Sequence, residues 1–159
     1  RVYAQHSESG PYSIGPRVAA LLKNETQAGL TKVESYFPFA EKVHEAKRKI
    51  LRFLVEQKQA GKTIAGFGAP AKGNTLLNYC GIRGDFIDYT VDDTPGKQGR
   101  FLPGSLIPIK QPKTLKETKP DLVVVMPWNF KDEIMEKHAY IREWGGKFVV
   151  FIPEVQVFD

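Results

Sequence analysis

The chain has 159 residues, 42% of them hydrophobic, which is enough to bury the core of one globular domain. The single cysteine, Cys80, excludes an internal disulfide framework and any metal site built from several cysteines. No apolar run approaches the roughly 18 residues of a membrane span, and the opening letters RVYAQHSESG lack the pattern of a signal peptide. These features predict a cytoplasmic protein without a membrane partner.

The net charge of +5 is modest. Much of it lies in the segment EKVHEAKRKILRFLVEQKQAGK, where acidic and basic residues alternate along a predicted helix, as on a solvated helix face. A nucleic-acid-binding domain would need a basic face with aromatic platforms or a known module, and the sequence has neither an RNP-type motif nor a helix-turn-helix pattern. We therefore expect no nucleic-acid partner.

The first third of the chain predicts helices and connecting segments. A Ser/Gly/Pro-rich stretch, SESGPYSIGP, precedes a short amphipathic helix that ends at Gly29, and a longer helix follows SYFPF and ends at Gly61. The opening RVYA is typical of the end of a strand, so we expect the chain to be a fragment. We predict that residues 1–36 are a remnant of a preceding domain with a linker helix, and that residues 37–159 form the main domain.

Strands and helices alternate from Thr63 to the end of the chain. The runs LVVVM and FVVFI are apolar throughout, as in strands of a sheet that is covered on both faces. This alternation predicts an α/β, Rossmann-like, doubly wound and mainly parallel sheet with an N-terminal helical extension. The predicted elements after Thr63 are TIAGF, a helix ending at Cys80, FIDYTV, LIPIK, PKTLKET, DLVVVM, a helix over NFKDEIMEKHAYIREW, and KFVVFI.

The loop after the first predicted strand is the leading candidate for a binding site. Gly66, Gly68 and Ala71 fit the spacing G-x-G-x-x-A, in which the last small residue lies where helix meets strand. The helix that follows would offer unpaired N–H groups to a phosphate, although a tight turn without a ligand would need similar residues. The candidate residues of this loop are Gly66, Gly68, Ala69, Pro70, Lys72, Gly73 and Asn74.

Two further loops follow predicted strands. Asp92 lies about 20 residues after Gly73, close to the sequence separation at which an acidic residue holds the ribose of a dinucleotide in Rossmann folds. It also suits a turn before Pro95. The polar loop with Lys97, Gln98 and Arg100 is either a ligand contact or lid, or a solvated surface loop.

The third loop contains adjacent aromatic and amide side chains. Trp128 and Asn129 would provide a stacking face and an amide for a ligand, or a packing side chain beside a helix cap. The sequence has no Ser/His/Asp, Cys/His or metal-ligand cluster, and its histidines, His6, His44 and His138, lie in separate segments. It therefore predicts an anion-binding site with no catalytic residue and no metal.

Four long motifs carry a resemblance to a known family: GFGAPAKGNTLLNYCGI, IDYTVDDTPGKQGRFLPGSLIPI, PDLVVVMPWNFKDEIMEK and YIREWGGKFVVFIPEV. Their order resembles the C-terminal domain of S-adenosylmethionine-dependent sugar-nucleotide C-methyltransferases. The opening RVYAQH is similar to the last strand of the methyltransferase domain that precedes it in that family.

The resemblance implies a substrate, a partner domain, and separate roles for the two domains in catalysis and substrate binding. The parent enzyme would remove a proton beside the keto group of a nucleotide-linked 4-ketodeoxysugar, and the resulting carbanion or enolate would take the methyl group. S-adenosylmethionine and the catalytic residues would belong to the preceding domain, so no cofactor is expected in this fragment. This domain would hold the nucleotide-diphosphate sugar with residues 66–74, 97–100 and 128–129.

Two alternatives remain at the level of sequence. The same glycine loop with Asp92 also fits a nicotinamide-dinucleotide-binding Rossmann domain of an oxidoreductase or sensor. In the second alternative, the domain is a non-catalytic interaction module, and its glycine loop has a purely structural role.

Overall fold

A computed structural model describes residues 3–159, so Arg1 and Val2, the first letters of the predicted strand end, lie outside the described residues. The chain divides into two compact units, Arg1–Val43 and His44–Asp159.

The first unit contains the predicted short helix. Helix α1 spans Pro16–Gln27, with a proline in its first turn, where the missing N–H costs no hydrogen bond. The chain then turns at Gly29, whose φ of 76° lies in the left-handed region that glycine adopts readily. A 3₁₀ turn at Val33–Tyr36 leads into helix α2, which spans Phe37–Gln59.

The second unit begins within α2. Ile50 and Leu54, four residues apart on this helix, are buried in the core. Their burial agrees with the predicted apolar spacing of this helix. The chain leaves the helix at Gly61, with a φ of 73°.

The sheet of the second unit has six strands in the order β3-β2-β1-β4-β5-β6. The first five strands in sequence run parallel, and β6 pairs antiparallel with β5. The predicted α/β, Rossmann-like and mainly parallel fold with an N-terminal helical part is therefore confirmed. The elements are β1 Ile64–Phe67, α3 Ala71–Cys80, β2 Tyr89–Val91, β3 Ile109–Lys110, α4 Lys113–Thr118, β4 Leu122–Val125, α5 Lys131–Lys137, β5 Lys147–Val150 and β6 Gln156–Phe158.

The two faces of the sheet pack into two separate hydrophobic clusters. Ile64 and Val124 belong to the cluster that also contains Ile50 and Leu77 from α2 and α3. The neighbouring strand residues Ala65, Val123 and Val125 belong to the other cluster, together with Leu115 and Met135 from α4 and α5. Successive strand residues point to opposite faces, so fully apolar strands such as LVVV are buried on both sides.

The C-terminal quarter differs from the prediction in two places. The predicted helix over NFKDEIMEKHAYIREW is a short α5 followed by a 3₁₀ segment, Ala139–Trp144, and α5 has no side-chain cap, so a capping role for Asn129 is wrong. Strand β6 was not predicted, because its alternating QVF lies next to a Pro-containing turn and is only half-buried.

Neither a membrane span nor a metal cluster is found in the part of the chain that the structure describes. No helix within residues 3–159 combines the length and the apolar character that crossing a membrane requires. The same residues contain no group of three or more histidine, cysteine, aspartate or glutamate side chains that could hold a metal ion. Cys80 is buried in the core next to the C-terminal end of α3.

Candidate functional site

The strand order places a switch point between β1 and β4, where the cavity lined by Gly73, Met126 and Trp128 has a volume of about 10 Å³. We call this region the crevice. The chain proceeds from β1 to β2 and β3 on one side of the sheet, and from β4 to β5 and β6 on the other side. In open α/β sheets, ligands bind at such a switch point, beyond the carboxyl ends of the two strands. Here the crevice is bordered by residues 68–74 after β1 and residues 126–130 after β4.

Gly68 makes the sharp turn at the end of β1. Its φ is 86°, and an added Cβ would lie 2.6 Å from Cγ of Pro127. Its N–H donates to the carbonyl oxygen of Val91 at 2.6 Å, and its own carbonyl accepts from the hydroxyl of Thr90 at 2.8 Å. The turn therefore requires a glycine for conformation and packing, whether or not a ligand is bound.

The other two glycines allow a helix and a strand to approach each other. Gly66 lies inside β1, where an added Cβ would be 2.6 Å from Cε of Met126. Gly73 lies in the first turn of α3, where an added Cβ would be 2.8 Å from Cβ of the same methionine. The close contact of helix and strand is therefore at Gly73. The sequence had assigned it to Ala71, which is exposed, and that assignment is wrong.

Lys72 and Trp128 meet across the crevice. Lys72 extends from the first turn of α3, and Trp128 lies in a 3₁₀ turn, Trp128–Phe130, that follows β4. The ammonium nitrogen of Lys72 is 4.3 Å from the centroid of the indole ring, which is a cation–π contact. No carboxylate within residues 3–159 forms an ion pair with Lys72, so its charge is not neutralised by a neighbouring acid.

Asn74 lies two residues after Lys72 on α3. Its backbone N–H donates to the carbonyl of Pro70 at 3.0 Å. Its side-chain Oδ1 is buried and has no hydrogen-bond donor among the described residues. A buried acceptor without a donor costs stability, on the order of 1–3 kcal/mol. This oxygen is thus an unsatisfied acceptor that is closed to solvent in this structure.

Asp92 is held by the protein itself. One carboxylate oxygen accepts from the N–H of Ala69 at 2.7 Å and from the ammonium of Lys97 at 3.0 Å, and the other accepts from the N–H of Thr94 at 2.9 Å. Burial raises the pKa of Asp92, but the hydrogen bonds from Thr94, Lys97 and Ala69 outweigh it and hold the pKa below its ordinary value. The carboxylate is therefore charged and links the turn after β1 to the loop after β2.

The loop after Asp92 is tied to the sheet. Lys97 also donates to the carbonyl of Ala69 at 3.2 Å, and the amide of Gln98 donates to the backbone carbonyl of Asp92 at 2.9 Å. The backbone of Arg100 accepts from the N–H of Ile109 at 2.8 Å. These bonds hold the loop against the ends of β2 and β3, while Thr94, Gly99 and Arg100 remain exposed.

The predicted site residues fall into three groups. Ala69, Asp92 and Lys97 form one bonded cluster, and Lys72 with Trp128 forms the second. Gln98, which is bonded to the backbone of Asp92 in the first group, also lines an open cleft of about 530 Å³ beyond β3, with Lys110 and Gln111 among its walls. The third group, the side chains of Arg100 and Asn129, is exposed and makes no hydrogen bond or ion pair with other described residues.

Sequence reasoning missed the residues that shape the crevice from behind. Thr90, Met126 and Pro127 contact the three glycines and fix where the glycine loop lies. Thr90 is the one polar residue within the buried strand YTV, which is a signal that the sequence did offer. His138 is also buried, with its ring centroid 4.5 Å from that of Phe67 and a pKa that burial lowers.

Comparison with known proteins shows the family to which the chain belongs. Residues 1–153 match the family described as the C-methyltransferase C-terminal domain. The chain belongs to this family. It is 38% identical, over 151 residues, to C-methyltransferase NovU of Streptomyces niveus, an alignment that covers 93% of this chain and 35% of that protein. The chain thus spans about a third of the length of this curated relative.

One solved structure aligns with part of the chain. The crystal structure of UDP-D-quinovosamine 4-dehydrogenase from Vibrio fischeri aligns with a TM-score of 0.43 and 22% sequence identity, covering 58% of this chain and 79% of that one.

Proposed function

We propose that this chain is the substrate-holding domain of an S-adenosylmethionine-dependent C-methyltransferase that acts on a nucleotide-linked ketodeoxysugar. In this proposal, residues 37–159 form the domain that binds the substrate, and residues 1–36 connect it to a methyltransferase domain of the same protein. Membership of the C-methyltransferase family supports the reaction class. The substrate class rests on the chemistry of the crevice between β1 and β4.

The observation that carries the proposal is the pair of Lys72 and Trp128 at the switch point. Lys72 has no acidic partner in the described part of the chain, so its charge is available to a diphosphate, which the N-terminus of α3 would also favour. If Lys72 moves from the indole of Trp128 to the diphosphate, the ring face that it now covers would pack against an apolar face of the sugar. Oδ1 of Asn74, which is buried without a donor, would accept a hydrogen bond from a sugar hydroxyl once a ligand opens the region around it.

The contacts of Asp92 count against a dinucleotide at this site. The ribose of a dinucleotide needs a carboxylate at the end of the second strand. Both oxygens of Asp92 already accept hydrogen bonds from Ala69, Thr94 and Lys97. The same contacts count against the ribose of S-adenosylmethionine at this site. We therefore propose that the methyltransferase domain binds this cofactor.

The role that remains for this domain is to position the substrate. A diphosphate held at Lys72 would fix one end of the substrate, and the sugar would extend towards the methyltransferase domain. Holding reacting groups at near-attack distance and excluding water contributes several kcal/mol to catalysis, on the order of 7 kcal/mol or more in favourable cases. The domain would thus raise the rate without supplying a catalytic residue.

Calorimetric titration of the full-length enzyme with a thymidine-diphosphate sugar tests this proposal. Lys72→Ala should weaken binding about tenfold or more, since a charge-assisted contact to phosphate is lost. Asn74→Ala should weaken it less. The matched control is Lys116→Ala, because Lys116 also lies over an aromatic ring, 4.4 Å from the centroid of Tyr140. Unchanged affinity in both Lys72→Ala and Asn74→Ala would refute the proposed site.

A further inference from the structure

A buried histidine, His138, lies in the second unit directly after α5. The residue is only 4% exposed, and its ring centroid is 4.5 Å from that of Phe67, the last residue of β1. Its Nδ1 is 3.0 Å from the hydroxyl oxygen of Tyr140, within hydrogen-bond distance. Its Nε2 is buried and has no hydrogen-bond partner among the described residues. The ring therefore packs on β1 and is bonded through one nitrogen only.

Phe67 connects His138 to both sides of the crevice. Its carbonyl accepts a hydrogen bond from the N–H of Met126 at 3.0 Å, which links the end of β1 to the segment after β4. The next residue, Gly68, begins the loop that borders the crevice on the side of β1. Trp128, on the side of β4, packs against the hydrophobic cluster that contains Phe67. A displaced Phe67 ring would therefore disturb both sides of the crevice.

The surroundings of His138 favour its neutral form. Burial is the largest effect and lowers the pKa of the imidazole below its ordinary value. Among the charged groups that face it, Asp93 after β2 raises this pKa, whereas Lys137 on α5 and Lys116 on α4 lower it. The carboxylate of Asp93 already forms an ion pair with Lys137 at 2.7 Å. His138 is therefore mainly neutral at about pH 7.

We propose that neutral His138 is a positioning residue, which packs on Phe67 and thereby holds the two sides of the crevice in the arrangement that binds the nucleotide sugar. The inference rests on the proposed function, because that supplies the ligand. Protonation would place a charged N–H at Nε2 with no acceptor, so the ring would leave Phe67 to reach water. Only the neutral form would then be competent to bind, and the apparent affinity would follow its population.

The pH dependence of binding tests this inference. In calorimetric titration of the full-length enzyme with a thymidine-diphosphate sugar, the dissociation constant should be at least about threefold larger at pH 5 than at pH 7.5. The diphosphate is esterified at both ends and does not titrate between these values. His138→Phe keeps a ring on Phe67 but cannot be protonated, so its dissociation constant should be the same at both pH values. His138→Ala removes the ring and should weaken binding at both.

The matched control is His6→Gln, which removes an exposed histidine of the first unit and should keep the pH dependence of the wild type. A wild-type affinity that is equal at both pH values would overturn the inference and leave the proposed function intact. The same pH dependence in His138→Phe as in the wild type would also overturn it. An enzyme that binds no nucleotide sugar at either pH would refute the proposed function and the inference together.

A measurement without ligand checks the buried state of His138 independently. Because the pKa of His138 is lower in the folded than in the unfolded chain, the unfolded chain binds the additional proton. Stability should therefore fall as the pH drops below about 6.5, and His138→Phe should remove this part of the fall. Urea unfolding of both proteins between these pH values measures it. An identical fall in both would contradict a buried neutral histidine and overturn the inference.

Discussion

The segments that follow β1 and β2 are neighbours, and each contains one lysine. The two lysines differ in their bonding partners. Lys97, after β2, is bonded to Asp92 at 3.0 Å and to the carbonyl of Ala69. Lys72, after β1, lies on the ring of Trp128 and has no acidic partner within residues 3–159. Lys97 ties the loop after β2 to the turn after β1, whereas Lys72 keeps its charge unpaired. The same residue type after adjacent strands thus holds a loop in one place and, in our proposal, binds a ligand in the other.

The largest expected effect lies at the junction of these loops, at Gly68. Its N–H and carbonyl bond to the end of β2, and its φ is 86°. Gly68→Ala should lower the free energy of unfolding by about 2–4 kcal/mol, because it adds backbone strain and a contact with Pro127 that is too close. Urea unfolding followed by circular dichroism measures this.

Substitutions at two other glycines distinguish the cost of backbone strain from the cost of the contact with Pro127. Gly81 has a φ of 76° but open space around it, so Gly81→Ala should cost only about 1 kcal/mol. Gly84 has open space and no positive φ, and Gly84→Ala should change stability by less than about 0.5 kcal/mol. Equal costs at positions 68 and 81 would show that the contact with Pro127 contributes nothing.

The two lysines should differ in stability when each is replaced by methionine. Lys97→Met leaves the buried carboxylate of Asp92 without its cation and should cost about 1–2 kcal/mol, discounted because Lys97 is 41% exposed. Lys72→Met loses only a cation–π contact and keeps the methylenes on the ring, so it should cost less than about 1 kcal/mol. The same unfolding experiment measures both. A larger cost for Lys72→Met would make Lys72 a structural residue.

Much of the fold could be predicted from the chain because apolar runs and glycine stops are local signals. The run LVVV became β4, and Gly81 ended α3 in the left-handed conformation, as its position after Cys80 predicted. Strand β6 could not be predicted, because a three-residue edge strand is defined by its pairing with β5 and not by its own sequence.

The candidate site was harder to predict, because its residues are distinguished by distant partners. Asp92 and Lys97 are five residues apart, but their link to Ala69 depends on the pairing of β1 with β2. The spacing of the glycine motif did not show that Gly73 packs on Met126, a residue that directly follows β4. The sequence motifs predicted where the loops lie, whereas the pairing of the strands determines which side chains contact each other.

The central claim is that the crevice between β1 and β4 binds a nucleotide-diphosphate sugar through Lys72. The most direct measurement is calorimetric titration of the full-length enzyme, wild type and Lys72→Ala, with a thymidine-diphosphate sugar and with NAD. The account predicts at least about tenfold tighter binding of the sugar nucleotide to the wild type, with the difference reduced in the variant. Tighter binding of NAD that depends on Lys72 would contradict it.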